Sequence, residues 1–210
     1  ARLSDGELYA LKERQPLLYQ PPLGHPARHN IFEGLEIHLD LEGQQTKGIV
    51  GLRTRHRPEA IDLQTKGAYD PLDFFEPVRM RNHGDTLSIA PGHNYLLFSQ
   101  EVIAVPPDYS AELQEHAWIS LDGHLHLAGF FDPGFKARCV FEVRSTETGK
   151  VTLSHGMPMT RFSFYRGNRA QTPYGSSGLG SSFQGQTGPQ PPKCFKPIDY
   201  SALSFAMQKD

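Results

Sequence analysis

A single glutamate within an apolar run is the residue best suited to carry chemistry. Residues 137–144 alternate as a β-strand would, with Cys139, Phe141 and Val143 on one side and Glu142 on the other. Because the apolar side belongs in a core, Glu142 is expected to face a groove or a neighbouring subunit. A carboxyl held there can accept and release protons during a reaction. The alternative interpretation is a solvated surface glutamate.

A tight turn is expected just before this strand. The residues Asp132-Pro133-Gly134-Phe135 combine an aspartate, a proline and a glycine, which is the chemistry of a β-turn. The turn alone explains why an aspartate stands at position 132. The same carboxylate is also free to contact a ligand, and one residue can do both.

The C-terminal region changes composition. From Gly175 to Pro192 the chain consists mostly of Gly, Ser, Gln, Thr and Pro, which is typical of a flexible tail. Such a stretch can also wrap a ligand, since glycine lets backbone amides come close to phosphate groups. Both interpretations stay open on composition alone.

Composition excludes several broad classes of protein. The net charge of −2 argues against a general nucleic-acid binder, and no apolar run reaches the roughly 18 residues of a membrane-spanning helix. The two cysteines, Cys139 and Cys194, form no CxxC pair, which disfavours a structural zinc site and fits a reducing compartment. We therefore expect a cytoplasmic protein that associates with neither membranes nor nucleic acid.

The remaining pattern predicts a mainly β protein. Ser4 and Glu7 form a capping-box signature for a short helix, and Gln15–Asn30 is proline-rich and predicted to be an extended linker. Pro71–Phe75 is expected to form one helical turn. Short strands separated by Gly, Pro, Asp and Asn are typical of an antiparallel barrel or sandwich. Strands are expected near Ile37–Leu41, Gly48–Arg53, Tyr95–Val105, Ala117–Leu121, His124–Phe131, Ala137–Arg144 and Thr160–Tyr165.

Two segments together resemble the family of 2'-deoxycytidine triphosphate (dCTP) deaminases. The first is Asp132-Pro133-Gly134-Phe135, followed by the strand with its one glutamate. The second is Pro173-Tyr174-Gly175-Ser176-Ser177, followed by the Gly180–Pro189 stretch, which is similar to the family's C-terminal arm. The segment Asp73-Phe74-Phe75-Glu76-Pro77 and its surroundings resemble the second half of the long form of the enzyme, in which one chain holds two related halves.

The resemblance implies a fold, an activity and a set of roles. The fold would be a distorted jelly-roll β-barrel of the dUTPase type, divided into a helix and linker (1–30), a barrel (31–172) and an arm (173–210). The activity would be deamination of dCTP to dUTP, with Mg²⁺ carried on the triphosphate and no protein-bound metal. The assembly would be a homotrimer, or a pseudo-trimer with a related barrel. Glu142 would be catalytic, and the substrate-binding residues would be Asp132, Val140, Phe141, Tyr174 and Gln186.

The sequence departs from the family pattern in two places. Short-form enzymes carry an Arg-Ser-Ser-x-x-Arg loop where this chain reads Gln114 to Ile119, and the arm has Ser182 where the family has a lysine. A triphosphate carries nearly four negative charges, so these missing cations are a serious loss. Either a partner barrel supplies an arginine, or other cations of this chain compensate: Arg138, Arg144, Arg161, Arg166, Lys193 or Lys196.

Three other interpretations are compatible with the sequence. A catalytically impaired barrel that binds nucleotides or partners is one, and a dUTPase is another, although its usual motifs are not recognisable. The third is a cupin-like jelly roll, in which His124 and His126 share a strand face and His155 joins them on a metal. The His-x-Glu and Pro-Cys-x-x-Cys pattern of zinc deaminases is absent.

Overall fold

The structure, a computed structural model, describes most of the chain. The described residues are 1–21, 25–56, 59–115, 124–126, 129–145 and 151–201. The strand expected over Ala117–Leu121 lies outside them, as do residues 116–119 of the segment in which the family carries its arginine loop. Within the described ranges, no helix has both the length and the apolar character needed to cross a bilayer.

Strands dominate the chain, with one helix near the N-terminus. The helices are α1 (Asp5–Arg14) and the single-turn α2 (Pro71–Phe74), and a 3-10 turn spans Gln44–Thr46. The strands are β1 (Leu18–Tyr19), β2 (Leu35–His38), β3 (Ile49–Thr54), β4 (Phe75–Arg79), β5 (Leu87–Ile89), β6 (Asn94–Ala104), β7 (Tyr109–Glu115), β8 (His124–His126), β9 (Phe130–Phe131), β10 (Lys136–Ser145), β11 (Val151–Leu153) and β12 (Pro158–Arg166).

Backbone hydrogen bonds arrange these strands into three antiparallel sheets. The largest follows the order β4-β3-β6-β10-β8, with β1 also paired to β6. The second follows the order β2-β12-β7-β9, and β5 pairs with β11. The predicted fold class is confirmed: the protein is a mainly β, distorted jelly roll with a short N-terminal helix. In the described residues the strands form separate sheets rather than one continuous ring.

The main core lies between the two larger sheets. Phe162 and Phe164 of β12 and Phe141 of β10 are fully buried in the same apolar cluster. Burial of one such side chain contributes about 1.5–3 kcal/mol, so the core fixes the position of both sheets. Since β10 gives only one of its faces to this core, its other face is left for the site described below.

The N-terminal helix begins as the sequence predicts. The Glu7 carboxylate accepts hydrogen bonds from the backbone amide and the hydroxyl of Ser4, at 2.9 and 3.0 Å, and these bonds lower the pKa of the Glu7 carboxyl. The amide of Glu7 in turn donates to the Ser4 hydroxyl, which completes the capping box. Leu8 and Leu11 are buried, so one face of the helix packs on the body of the protein.

The segment that follows the helix is extended and partly incorporated into the large sheet. In β1, Leu18 pairs with Ile103 of β6, and the Leu17 carbonyl accepts a hydrogen bond from the amide of Ala104. Leu17 and Leu18 are both fully buried. The predicted linker therefore also contributes a short strand and two core residues.

The strands expected near β2, β3, β6, β10 and β12 are confirmed, as is the helical turn of α2. Five strands, β1, β4, β5, β7 and β11, are additional to those expected from the sequence. The stretch expected as one strand over His124–Phe131 contains β8 and β9, and residues 127–128 between them lie outside the described residues. In β7 the side chains of Tyr109, Ala111 and Leu113 are buried.

A half-buried histidine pairs with a carboxylate at the end of β2. The Nδ1 atom of His38 lies 2.6 Å from Oε1 of Glu101, and the His38 amide donates to Oε2 of the same residue. The hydrogen bond to Glu101 raises the pKa of His38 from its ordinary value of 6.5, although burial opposes the shift. A raised pKa in the folded state means that protonation stabilises the fold.

We expect His38→Gln to reduce thermal stability in a pH-dependent way. The stabilising contribution of the His38 pair is fully present below the unfolded-state pKa of 6.5, and it is lost as the pH rises through the folded-state pKa. The difference in melting temperature between wild type and variant should therefore be largest near about pH 5.5 and smaller above about pH 8. A difference that grows with pH would contradict this assignment.

Candidate active site

Strand β10 presents Glu142 away from the core, as the alternation predicts. Cys139, Phe141 and Val143 are buried, whereas Glu142 is exposed and Val140 is half-buried. Burial raises the pKa of the Cys139 thiol, so this cysteine is an inert core residue. The backbone of Glu142 is fixed by antiparallel pairing with Leu96 of β6. The glutamate is therefore held on a rigid element while its carboxylate faces outward.

The turn before β10 places Asp132 beside this face. The amide of Phe135 donates to the Asp132 carbonyl at 3.1 Å, with Pro133 second and Gly134 third in the turn. Gly134 has a φ of 94°, which the third position of a type II turn requires. The Asp132 side chain is exposed, so the residue forms the turn and leaves its carboxylate available.

The start of the arm packs directly on this turn. A Cβ atom at Gly134 would lie 2.5 Å from Cβ of Pro173 and 3.0 Å from the amide of Tyr174, so only glycine permits the contact. The Tyr174 amide donates to the Pro133 carbonyl at 2.7 Å, and the Tyr174 ring lies 5.7 Å from that of Phe135. The turn and the arm thus form one packed unit.

The arm then folds into a closed loop instead of extending into solvent. The amide of Phe183 donates to the Tyr174 hydroxyl at 3.0 Å, and the amide of Gly175 donates to the Ser181 hydroxyl at 2.8 Å. Phe183 itself is half-buried against the main core. Two aromatic residues therefore hold a loop whose composition alone is typical of disorder.

The next arm residues bind along the edge of β10. Gln184 accepts from the amide of Lys136 at 2.8 Å and donates to the carbonyl of Gly134 at 3.1 Å. The Gly185 amide donates to the Lys136 carbonyl, and the Gln186 side chain donates to the Arg138 carbonyl at 2.9 Å. The arm thereby occupies the edge of β10 that faces away from β6.

A cavity of about 710 Å³ lies between β10, the turn and the arm loop. Five of the six predicted site residues line it: Asp132, Val140, Glu142, Tyr174 and Gln186. The sixth, Phe141, does not line it, because its side chain points into the core on the opposite face of β10.

Gln186 has one polar atom without a partner. Its Nε2 atom donates to the Arg138 carbonyl, whereas its Oε1 atom is buried and accepts no hydrogen bond in the described part of the chain. An oxygen of this kind needs a donor, and an ionised phosphate has none. In this arrangement the Nε2 donor of Gln186 is used by the protein backbone, which differs from the phosphate contact that the family resemblance implies.

Apolar residues that the sequence analysis did not single out also line the cavity. Phe130 and Leu179 are exposed at its rim, and Phe131 and Phe183 are half-buried along its wall. Aromatic walls of this kind suit a planar ring. In the sequence, the adjacent residues Phe130 and Phe131 just before the Asp-Pro-Gly turn could have indicated this aromatic wall.

The cavity contains little positive charge. Lys193 is the one cationic side chain among the described residues that line it. Arg138, suggested above as a compensating cation, is buried in an ion pair with Asp40, and Arg161 pairs with Glu33. Arg166 lies 3.7 Å from Glu7, and neither Arg144 nor Lys196 lines the cavity. Of the six candidate cations, Lys193 is the one that the structure brings to the site.

No group of three or more His, Cys, Asp or Glu residues in the described ranges is arranged to hold a metal ion. The side chains of His124 and His126, on which the cupin-like alternative depends, lie outside the described residues. His155 accepts a hydrogen bond from the amide of Leu41 and lies 3.7 Å from Asp40.

Comparison with known proteins identifies the family. Residues 4–189 match the family model described as the C-terminal domain of 2'-deoxycytidine 5'-triphosphate deaminase. The chain belongs to this family. The resemblance that the Asp-Pro-Gly turn, the glutamate strand and the arm suggested is therefore confirmed. The residues matched include the whole cavity wall from β9 through Gln186.

Individual members of the dCTP deaminase family are moderately similar to this chain. A Corynebacterium efficiens protein named dCTP deaminase, dUMP-forming, is 32% identical over 130 residues, which are 60% of this chain and 64% of that protein. A Rhodococcus opacus protein of the same name is 34% identical over 115 residues, 53% of this chain and 61% of that protein. The chain thus spans less than two thirds of the length of these relatives.

A solved structure of the family supports the fold. The crystal structure of 2'-deoxycytidine 5'-triphosphate deaminase from Agrobacterium tumefaciens superimposes with a TM-score of 0.69 at 32% identity. The match covers 79% of this chain and 50% of that chain. This chain is therefore similar in architecture to about half of the Agrobacterium protein.

Proposed function

We propose that this chain deaminates dCTP, and that Glu142 carries the proton transfers. The observation that supports this most directly is the cavity in which Glu142, Asp132, Tyr174 and Gln186 meet in a member of the dCTP deaminase family. The turn, the strand and the arm come from separate parts of the chain. Their convergence on one cavity is what a substrate site requires.

The proposed chemistry is hydrolytic and balances as dCTP plus water giving dUTP plus ammonia. Water attacks carbon 4 of the cytosine ring, and Glu142 accepts a proton from it. The same carboxyl delivers that proton to ring nitrogen 3. It then accepts the proton of the new hydroxyl on carbon 4 and passes it to the amine, which leaves as ammonia as the carbonyl forms, so one positioned group serves as both base and acid. Phe131 and Phe183 supply apolar wall for the ring, and Val140 of β10 lines the same cavity.

The sugar and the metal have separate expected partners. The exposed Asp132 carboxylate can accept a hydrogen bond from the deoxyribose 3'-hydroxyl. Mg²⁺ is expected to bind to the triphosphate. Asp132 and Glu142 are the two carboxylates among the described residues that line the cavity, so the protein offers the ion few ligands of its own. Mg²⁺ binds phosphate oxygens and water in such sites and needs few protein ligands. When bound, the ion would neutralise part of the phosphate charge.

The name of the bacterial relatives bears on the product. The sequence analysis expects dUTP, whereas the relatives from Corynebacterium efficiens and Rhodococcus opacus are named dUMP-forming. Formation of dUMP adds one step, in which a second water cleaves the bond between the α- and β-phosphates and pyrophosphate leaves. Product analysis therefore distinguishes a pure deaminase from an enzyme of this second kind.

We also propose that the site is completed by a neighbouring barrel, in a trimer or a pseudo-trimer in the cytoplasm. Phe130 is 64% exposed and Leu179 is 48% exposed at the rim of the cavity, where a neighbour can cover them. The scarcity of cations within the cavity supports the same idea, since a partner barrel with a Ser-Ser-x-x-Arg-type loop would supply the arginine. A nucleotide-binding barrel without catalysis is the second candidate function. The small number of cations in the cavity also favours it.

An assay of dCTP turnover with Mg²⁺ tests this proposal. We expect weak or absent ammonia release from this chain alone, and deamination when a barrel that carries the arginine loop is supplied. Strong activity of the isolated 210 residues would refute the dependence on a partner. Binding of dCTP without deamination under both conditions would refute the enzyme and support the nucleotide-binding barrel.

A further inference from the structure

A second cavity adjoins the candidate active site on the far side of the arm. It has a volume of about 500 Å³ and is called the arm groove below. Six residues line both cavities, so the two share the arm as a common wall: Gly180, Ser182, Phe183, Gln186, Gln190 and Lys193. The arm groove extends from them toward Lys66 and Gly67.

The arm groove differs from the candidate active site in its charge. Lys66 and Lys193 line it, and no carboxylate occurs among its described lining residues. Neither lysine forms an ion pair within the described part of the chain. By contrast, Arg53 pairs with Glu76 and Arg169 pairs with Asp108. Two uncompensated positive charges facing one groove favour an anionic ligand.

Backbone pairing brings the two lysines together from distant parts of the sequence. The amide of Gly67 donates to the carbonyl of Lys193 at 2.9 Å, and the amide of Ala68 donates to the carbonyl of Cys194 at 2.9 Å. Cys194 and Phe195 are buried in a second apolar cluster with residues of β3 and β4. The positions of Lys66 and Lys193 are thus fixed by core packing, although both side chains are exposed.

The glycine-rich wall of the arm groove adds backbone donors. The amides of Gly180 and Ser182 donate no hydrogen bond to any residue that the structure describes. A Cβ atom at Gly180 would meet nothing within 4 Å, so the backbone at this position borders open space. Open amides together with lysines are a combination that binds phosphate oxygens.

We infer that the arm groove holds the phosphate groups of a nucleoside polyphosphate, bound by Lys66 and Lys193. The ring then lies beside Glu142, and the sugar lies between the ring and the arm groove, near the arm residues that line both cavities. This inference rests on the proposed function for the identity of the base. In this inference Lys66 and Lys193 take the role of the lysine that the family has at the position of Ser182, although neither belongs to a family motif.

Binding measurements on three single variants test the inference. By isothermal titration calorimetry, Lys66→Gln and Lys193→Gln should each weaken dCTP binding by about 5- to 20-fold. The loss should become smaller for dCMP and vanish for deoxycytidine, because the lysines contact only phosphates. Lys196→Gln is the matched control: it removes the same charge from the same segment but does not line the groove. Equal melting temperatures of the variants establish that all are folded.

Inorganic tripolyphosphate separates this inference from the proposed function. If tripolyphosphate binding depends on Lys66 and Lys193 but the protein does not prefer dCTP over dATP, the phosphate site stands and the cytidine assignment fails. If wild type binds neither dCTP nor tripolyphosphate, or binds them equally well without the lysines, the inference is overturned. A loss of deoxycytidine affinity as large as that of dCTP affinity also overturns it, because the lysines would then not act through phosphates.

Discussion

Glu142→Gln is expected to reduce the rate of dCTP deamination by about 100-fold or more, in whichever assembly the wild-type chain is active. The substitution keeps the size and much of the hydrogen bonding of the side chain but removes the group that carries protons. Nucleotide affinity should change much less, because the carboxylate acts on the base and lies on β10, away from Lys66. Ammonia release and calorimetric binding measure the two effects separately.

A glutamate elsewhere on the sheets provides the control for this experiment. Glu112 lies on β7 and its carboxylate accepts a hydrogen bond from the Tyr165 hydroxyl at 3.0 Å, outside the cavity. Glu112→Gln removes the same charge from a strand and should leave turnover unchanged. Undiminished deamination by Glu142→Gln would show that the catalytic assignment is wrong, whatever the control does.

Arg138→Met is expected to destabilise the protein by about 3–5 kcal/mol, the usual result of removing one partner from a buried ion pair. Arg138 is 2% exposed and pairs with Asp40, whose other oxygen accepts from the amides of Glu42 and Gly43. Burial lowers the pKa of the Arg138 guanidinium, and the charge of Asp40 opposes that shift. The variant leaves the Asp40 charge buried without its cation. Urea denaturation measures the loss.

Two further variants show whether the ion pair is the cause. Arg138→Met combined with Asp40→Asn removes both charges and should recover part of the lost stability. Arg169→Met breaks the exposed pair with Asp108 and should cost less than about 1 kcal/mol. If Arg138→Met were no more harmful than Arg169→Met, the pair would not be a significant element of the fold.

The ion pair also connects the core to the arm. Besides Asp40, the Arg138 guanidinium donates to the carbonyl of Ser99 at 2.6 Å and to that of Thr187 at 3.2 Å. Its backbone amide and carbonyl bind Gln186. Loss of the pair should therefore loosen the arm beside the cavity as well as the sheet beneath it.

Strand β10 and its turn could be predicted because residues close together in the sequence determine them. The alternation of Cys139, Phe141 and Val143 with Glu142 needs only the two-residue period of a strand, and the Asp-Pro-Gly turn needs only the φ preferences of proline and glycine. The capping box at Ser4 and Glu7 is local in the same way. In each case the residues that decide the structure lie within a few positions of one another.

Contacts between distant residues decided what the sequence analysis missed. Strict alternation puts Arg138 on the outward side of β10, yet it is buried, because the ladder shifts register between Arg138 and Val140 and Asp40 lies 98 residues away in sequence. The arm is similar: its composition is typical of disorder, but Tyr174 and Phe183 pack on other parts of the chain. Strand β7 is different, since the alternation of its buried residues was visible in the sequence.

The contact between the arm and β10 has a consequence for solubility. Gln184, Gly185 and Gln186 satisfy backbone groups at the start of β10 that would otherwise form an open strand edge. Open edges of apolar strands recruit strands from other molecules and promote aggregation. The arm therefore covers an aggregation-prone strand edge as well as bordering the cavity. A ligand that displaced the arm would expose that edge.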